Sequence, residues 1–405
     1  MTYFLNFSLL KRNRNYRFLY TGRTISFLGN MISNVALPYQ IYHETHSILM
    51  IGLLSFFQLL PLLFTALWGG VLADRHHRKI MLLFAESFLA LGCLLLAWNA
   101  SLSIPHVGTI FVISFFMWAL VGLHRPSFDG IIQQIVAKDD YPAMSSLNTF
   151  AGSFCMIVGP AIGGLIIAHF GLVITFLVDF VSFLISIGAI CFVQNIPKPT
   201  SRADQSTFSA LTQGFRYAIS RQELLGTYFV DFIAMVFGMP IALFPAIAVS
   251  FGGVKTLGLL YSAPAMGAFV ISFLSGWTSQ VKRHGAAVAI AAAFWGAAII
   301  GFGFASSIYW ALFFLGLAGA FDAISGIFRQ TMWNKTIPTE YRGRLAGIEM
   351  ISYMSGPKLG DTEAGLVAAA FGITASVVSG GALCVVGVAA CCYFLPRFWR
   401  YRSTN

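Results

Sequence analysis

Charge is the scarcest resource in this sequence. Of its 405 residues only 10% are Asp, Glu, Lys or Arg, where a soluble domain carries about 25%. A globule in water needs polar surface to cover its core, and at 57% apolar and aromatic residues too little is left for that. The shortage excludes a soluble enzyme, a nucleic-acid binder and a disordered scaffold. Cysteine is sparse as well: Cys93, Cys155, Cys191, Cys384, Cys391 and Cys392 all sit in apolar runs, and none forms a C-x-x-C pair. With no His/Cys cluster at metal spacing, the cysteines read as small core hydrophobes, and neither a metal site nor a cofactor is expected. Ser/His/Asp and H-E-x-x-H arrangements are missing too, which argues against a membrane-embedded enzyme.

The apolar residues recur along the whole chain rather than pooling in one tail. The spans read as Phe18–Tyr42, Met50–Ala73, Ile80–Ala100, Val107–Val136, Ser145–His169, Val173–Val193, Leu224–Ser250, Leu257–Gln280, Ala286–Ser306, Tyr309–Asn334, Arg344–Phe371 and Thr374–Leu395. A bilayer core about 30 Å thick needs roughly 20 apolar residues per crossing helix, and each span supplies them. The fold expected is all-α: a polytopic membrane protein with twelve transmembrane helices. The longest gap, 194–223, opens on Pro197 and Pro199 and separates six spans (1–193) from six (224–405). Within it Phe208, Leu211, Phe215, Ala218 and Ile219 recur at helical spacing beside Arg216 and Arg221, the pattern of an amphipathic helix lying on a membrane surface.

The few charges are sorted. Twenty of the 25 Lys and Arg residues fall in the two tails, the middle loop and every second short gap; the intervening gaps hold only Lys255. By the positive-inside rule, both termini and the middle loop face the cytoplasm. The net charge of +10 therefore reports topology and not nucleic-acid binding. The halves also echo one another. Asp140-Tyr141 and Glu340-Tyr341 lie 200 residues apart, as do Phe128 and Phe328; Gly159-Pro160 and Gly356-Pro357 lie 197 apart, and Phe170-Gly171 and Phe371-Gly372 lie 201 apart. The near-constant offset indicates an internal duplication.

Local motifs add detail. Gly69 to Lys79 follows the second span, and its Gly70, Asp74, Arg75, Arg78 and Lys79 resemble the signature loop of the major facilitator superfamily, with His77 at the usual glycine. The resemblance implies two pseudo-symmetric six-helix halves around a central cavity, and a cytoplasmic gate in which the arginine matching Arg78 pairs with an acid low in the fourth helix, here Asp129. Gly159-Pro160-Ala161-Ile162-Gly163-Gly164 resembles the core of the superfamily's exporter motif, and small residues at that spacing let helices approach closely. Phe4 to Lys11, Leu37 to Ile41 and Thr45 to Ser47, in register with Gly69 to Arg75, look like the enterobactin exporter group of siderophore exporters.

Charges inside spans cost several kcal/mol unless paired or hydrated, so each is a candidate for function. They include Arg23, Arg125, Arg329 and Lys358, with Glu86, Asp129, Asp179, Asp231, Asp322, Glu349, Asp361 and Glu363. Arg125–Asp129 and Lys358–Asp361 have ion-pair spacing, Asp179 reads as a packing residue, and Glu86 reads as reaching the interface. The superfamily lines its cavity with the first, fourth, seventh and tenth helices. That singles out Arg23, Arg125, Asp231, Asp322 and Arg329, with Trp118, Phe128, Trp333 and Tyr261 as aromatic candidates. Asp231 or Asp322 would carry the coupling proton. Asp129 and Arg329 stand at equivalent positions with opposite charge, the arrangement of a latch between halves. The whole reads as a bacterial inner-membrane antiporter, acting as a monomer and exchanging protons for a siderophore or related small amphiphile. A multidrug/proton antiporter of the same fold is the alternative, and a flippase a remoter one.

Overall fold

Lipid offers no partner to a backbone amide, so apolar runs of this length must satisfy their hydrogen bonds internally, as helices. The computed structural model describes residues 7–75, 77–194, 196 and 207–403, and helix is the dominant element throughout. In chain order the helices are α1 (Ser8–Arg12), α2 (Arg14–Thr45), α3 (Ile48–Arg75), α4 (Arg78–Ser101), α5 (Val107–Ile135) and α6 (Tyr141–Cys191). Next come α7 (Thr207–Ser220), α8 (Gln222–Phe237), α9 (Phe244–Ser250), α10 (Val254–Phe273), α11 (His284–Gly303) and α12 (Ile308–Thr336). The chain closes with α13 (Thr339–Phe371), α14 (Ile373–Phe394) and the short α15 (Pro396–Trp399). Every expected span falls mainly on helical backbone, the seventh with a break. Among the described residues, nine stretches are long and apolar enough to cross a membrane, and one of these, 138–191, holds two expected spans end to end.

Two compact units divide the chain: Met1–His46 with Phe57–Arg202, and Ser47–Phe56 with Ala203–Asn405. In the first unit, the fifth and sixth spans meet inside α6 at Gly171, whose φ of 79° is a left-handed conformation that favours glycine. The second unit repeats the device: Gly372, at φ 90°, joins α13 to α14. The glycines noted 201 residues apart are thus the same turn made twice.

The α4 helix shows how the membrane environment sorts side chains. Phe84, Phe88, Leu91, Leu95 and Trp98 are exposed and recur every three to four residues, one continuous apolar stripe. Such a stripe would be a liability in water and is the surface that lipid solvates. Its opposite face is buried: Leu82, Glu86, Leu89, Cys93 and Leu96.

The Gly-Pro motif works as a packing seam. Gly159, Pro160, Gly163 and Gly164 are buried along α6. A Cβ on Gly163 would lie 3.0 Å from the Ile32 carbonyl oxygen and 3.2 Å from the Ile32 Cα, so the missing side chain lets α6 lie directly on α2. In the second unit, the seventh span is not the continuous helix its hydropathy predicts. It stops at Phe237, passes through Gly238, Met239 and Pro240 and a tight turn over Ile241–Leu243, and resumes as α9. Proline has no amide to donate and disfavours helix at the residue before it, which accounts for the break.

The expected amphipathic helix is α7, although residues 197–206 and the side chains of Phe208 and Leu211 lie outside the described residues. Ala218 packs with Leu224, Trp333, Ile337 and Leu345, while Phe215 and Ile219, on the adjoining face, are exposed.

Candidate functional site

In the second unit, Asp231 projects from α8, and Asp322 and Arg329 lie seven residues apart on one face of α12. Arg329 Nη1 donates to Asp231 Oδ1, and Arg329 Nη2 lies 3.7 Å from Asp322 Oδ1. Arg329 and Asp231 are buried, whereas the Asp322 side chain is 37% exposed. A buried guanidinium must be paired, and here it serves two carboxylates at once. With both acids ionised the triad carries one surplus negative charge; a single proton neutralises it. One turn beyond Arg329, Trp333 donates its indole N–H to Thr227 Oγ1 at 2.8 Å and stacks on Tyr228 with ring centroids 5.3 Å apart. The triad and a fixed aromatic pair therefore share one stretch of α8 and α12.

The first unit offers a different chemistry. The Arg23 guanidinium sits 4.3 Å from the centroid of the Phe128 ring, a cation–π contact. Phe128 also lies parallel to the His124 ring, at 6.2 Å and 7°. His124 Nε2 in turn meets Glu86 Oε1 at 2.9 Å. Arg125 and Asp129 form the expected i,i+4 pair at 3.9 Å, both about half exposed. Trp118, two turns before Arg125 on α5, is partly buried. Sequence reasoning missed the Glu86–His124 pair. Glu86 does not reach the interface as expected but is 2% exposed, and the signal was its place in the buried stripe of α4.

Of the gate residues, Gly70, Asp74 and Arg75 have side chains outside the description, and α3 runs to Arg75. Arg78 Nη1 donates to the carbonyl of Gly130 at 2.9 Å, beside Asp129. Lys79 Nζ reaches the carbonyls of Cys191 at 3.0 Å and Val193 at 2.7 Å. The basic residues that open α4 thus bind a carbonyl within α5 and the end of α6. Asp129 and Arg329, the opposite charges at equivalent positions, each meet partners within their own unit.

Two other intramembrane acids accept hydrogen bonds from neutral donors, and Asp361 also feels the charge of Lys358, its expected partner. Asp361 accepts hydrogen bonds from Ser55 Oγ and from the backbone N–H of Ala242, both at 2.9 Å. Ala242 lies where the seventh span is broken, so this carboxylate satisfies an amide that the interruption frees. Asp179 is fully buried and accepts from Cys93 Sγ at 3.3 Å and Ser182 Oγ at 3.2 Å, which fits a packing role. Tyr261 packs edge-on against Phe244 at 5.2 Å. No group of three or more His, Cys, Asp or Glu side chains suited to a metal occurs among the described residues.

The profile of the transmembrane secretion effector family matches residues 7–401. The chain belongs to that family. It is accordingly a multi-pass membrane transporter of the major facilitator fold. Relatives within reach include the enterobactin exporter EntS of Salmonella paratyphi A, 24% identical over 409 residues and covering 100% of this chain and 98% of that protein. The EntS of Citrobacter koseri is 25% identical over 389 residues, covering 96% and 93%. Among solved structures, a mutant of the nucleoside transporter NupG superposes with a TM-score of 0.77 at 14% identity, covering 93% of this chain and 99% of that one. A POT family transporter gives 0.76 at 12%, covering 95% and 97%. These likenesses carry the fold; the secretion family carries the direction of the reading.

Proposed function

We propose that this chain exports a siderophore of the enterobactin type, or a closely related small metabolite, across the bacterial inner membrane in exchange for protons. The observation that carries the reading is a full-length likeness to enterobactin exporters in a chain that sets the Arg23 guanidinium on the face of Phe128. A catecholate is anionic and flat. Arg23 against Phe128 supplies a cation with a ring face, whereas Arg125 and Arg329 are each matched by acids. Asp231 and Asp322 are the acids for proton coupling, and Asp322 is the better placed: it is the more exposed of the two and sits at the edge of the Arg329 contact. Protonation of Asp322 leaves Arg329 balanced by Asp231 alone, as a neutral pair. Alternating access of two six-helix halves, residues 1–193 and 224–405 joined by 194–223, delivers the cargo to the far side, with both termini cytoplasmic and the protein working as a monomer.

The test is secretion under iron starvation by a strain lacking the gene. Loss of siderophore from the medium, with accumulation inside the cell, is the expected result. Unchanged secretion would refute the siderophore cargo, and drug sensitivity in its place would point to the multidrug alternative. Replacing Asp322 with Asn should abolish transport driven by a pH gradient in vesicles loaded with enterobactin; intact gradient-driven transport would remove Asp322 from the coupling step.

A further inference from the structure

Glu86 is the one charged residue among the buried residues of α4, and it stands about 12 Å from the start of the helix at 1.5 Å per residue. One oxygen, Oε1, meets His124 Nε2 at 2.9 Å. The other, Oε2, is buried and has no hydrogen-bond partner. A buried polar oxygen left without a partner is costly and calls for an explanation. The partner of Oε1 is the only His of α5 beyond its first turn, and 22% of that side chain is exposed, against 2% for Glu86. The pair is therefore graded: an imidazole that is partly exposed, then a carboxyl that is not.

Other ionisable groups around the pair have their own partners. From α6, Asp179 is engaged by Cys93 and Ser182; Cys93 shares the α4 face with Glu86, two turns on. On α5, Arg125 and Asp129 pair with each other on the exposed side. From α2, Arg23 lies over Phe128, whose ring is parallel to that of His124. At the start of α4, Arg78 and Lys79 are committed to backbone carbonyls. No cation but a protonated His124 is recorded on the Glu86 carboxylate among the described residues.

We infer that Glu86 and His124 form a second proton-binding site, in the first unit, separate from the Asp231–Arg329–Asp322 triad. His124 takes a proton from water and becomes the imidazolium. It passes the Nε2 proton to Glu86 Oε1, leaving a neutral imidazole and a carboxylic acid, and the reverse transfer returns the proton to water. Arg23 and Phe128 tie this site to the cargo-facing side of the unit, because the same Phe128 ring contacts both the cation and the imidazole. An anion bound at Arg23 would withdraw that cation from the ring and alter the seat of His124. The inference rests on the proton-antiport reading for its role in transport, though the protonation itself does not depend on it.

Two measurements test it on the full-length protein. In the first, infrared difference spectra of the purified protein, without cargo, are recorded across a pH titration. A carboxylic-acid C=O band that disappears in Glu86→Gln, shifts in Glu86→Asp and moves its titration midpoint in His124→Asn is expected. A spectrum in which none of these variants changes a titrating band overturns the site. If Glu86→Gln does not fold, the Glu86→Asp shift decides alone. In the second, vesicles containing the protein are loaded with enterobactin, and the pH gradient that just balances an enterobactin gradient gives the protons exchanged per molecule. A value lower by one in Glu86→Gln, restored by Glu86→Asp, is expected; an unchanged value overturns the transport role. Wild-type vesicles that move enterobactin with no response to pH would refute proton antiport and leave the infrared result to judge the site.

Discussion

Arg329 is held from two sides, so removing it leaves a buried carboxylate without its cation. Breaking such a pair costs about 3–5 kcal/mol. Arg329→Gln should lower the thermal unfolding midpoint of the detergent-purified protein sharply, and Asp231→Asn in the same chain should recover most of the loss, because a neutral amide faces a neutral amide. Equal midpoints for the single and double variants would mean that Asp231 does not depend on Arg329. Restored stability without restored transport is the expected functional result. Trp333 sits in a milder balance: Trp333→Phe keeps the stacking on Tyr228 and loses the bond to Thr227 Oγ1, about 1 kcal/mol. A loss several times larger in the same unfolding measurement would show that the indole fills space which Phe leaves empty.

At the scale of the helix, glycine decides how closely elements approach and where they turn. Gly163→Val drives a branched side chain into the Ile32 backbone and should destabilise by about 1–3 kcal/mol. Gly188→Ala, where a Cβ meets nothing within 4 Å, should stay within about 0.5 kcal/mol of the parent. Thermal unfolding of the two variants side by side checks the contrast, and similar midpoints would sink the packing role assigned to the seam. Gly171→Ala must hold a Cβ at positive φ and should cost about 1–2 kcal/mol; a neutral result would mean that the turn relaxes to another conformation. These features were legible in the sequence because they are local: a hydrophobic length, a Gly-Pro spacing, a Phe-Gly pair repeated 201 residues later. The break in the seventh span was only half legible. Met239-Pro240 announces an interruption, but Asp361, which receives the freed amide, lies 119 residues away. Glu86 was misread for the same reason, and its pairing with His124 was missed. Their meaning depends on how α4 and α5 are rotated against each other, and hydropathy carries no record of rotation for a single acid.

For the molecule as a whole, twenty basic residues on one side of the spans give an orientation that can be tested directly. In a background without the native cysteines, single cysteines placed at Lys282 and at Ser403 should react with a membrane-impermeant thiol reagent only after the inner membrane is opened, and one at Lys255 should react in spheroplasts before it. The reverse pattern would overturn the assignment of both termini to the cytoplasm. Gly171 and Gly372 bear on how the chain reaches that orientation during synthesis. Each joins two crossings through a single residue, with no intervening loop. With no loop between them, the fifth and sixth spans, like the eleventh and twelfth, are expected to leave the translocon together as hairpins. Protease sites, epitope tags and glycan acceptors inserted at these two positions would be reporters of failed insertion rather than of topology.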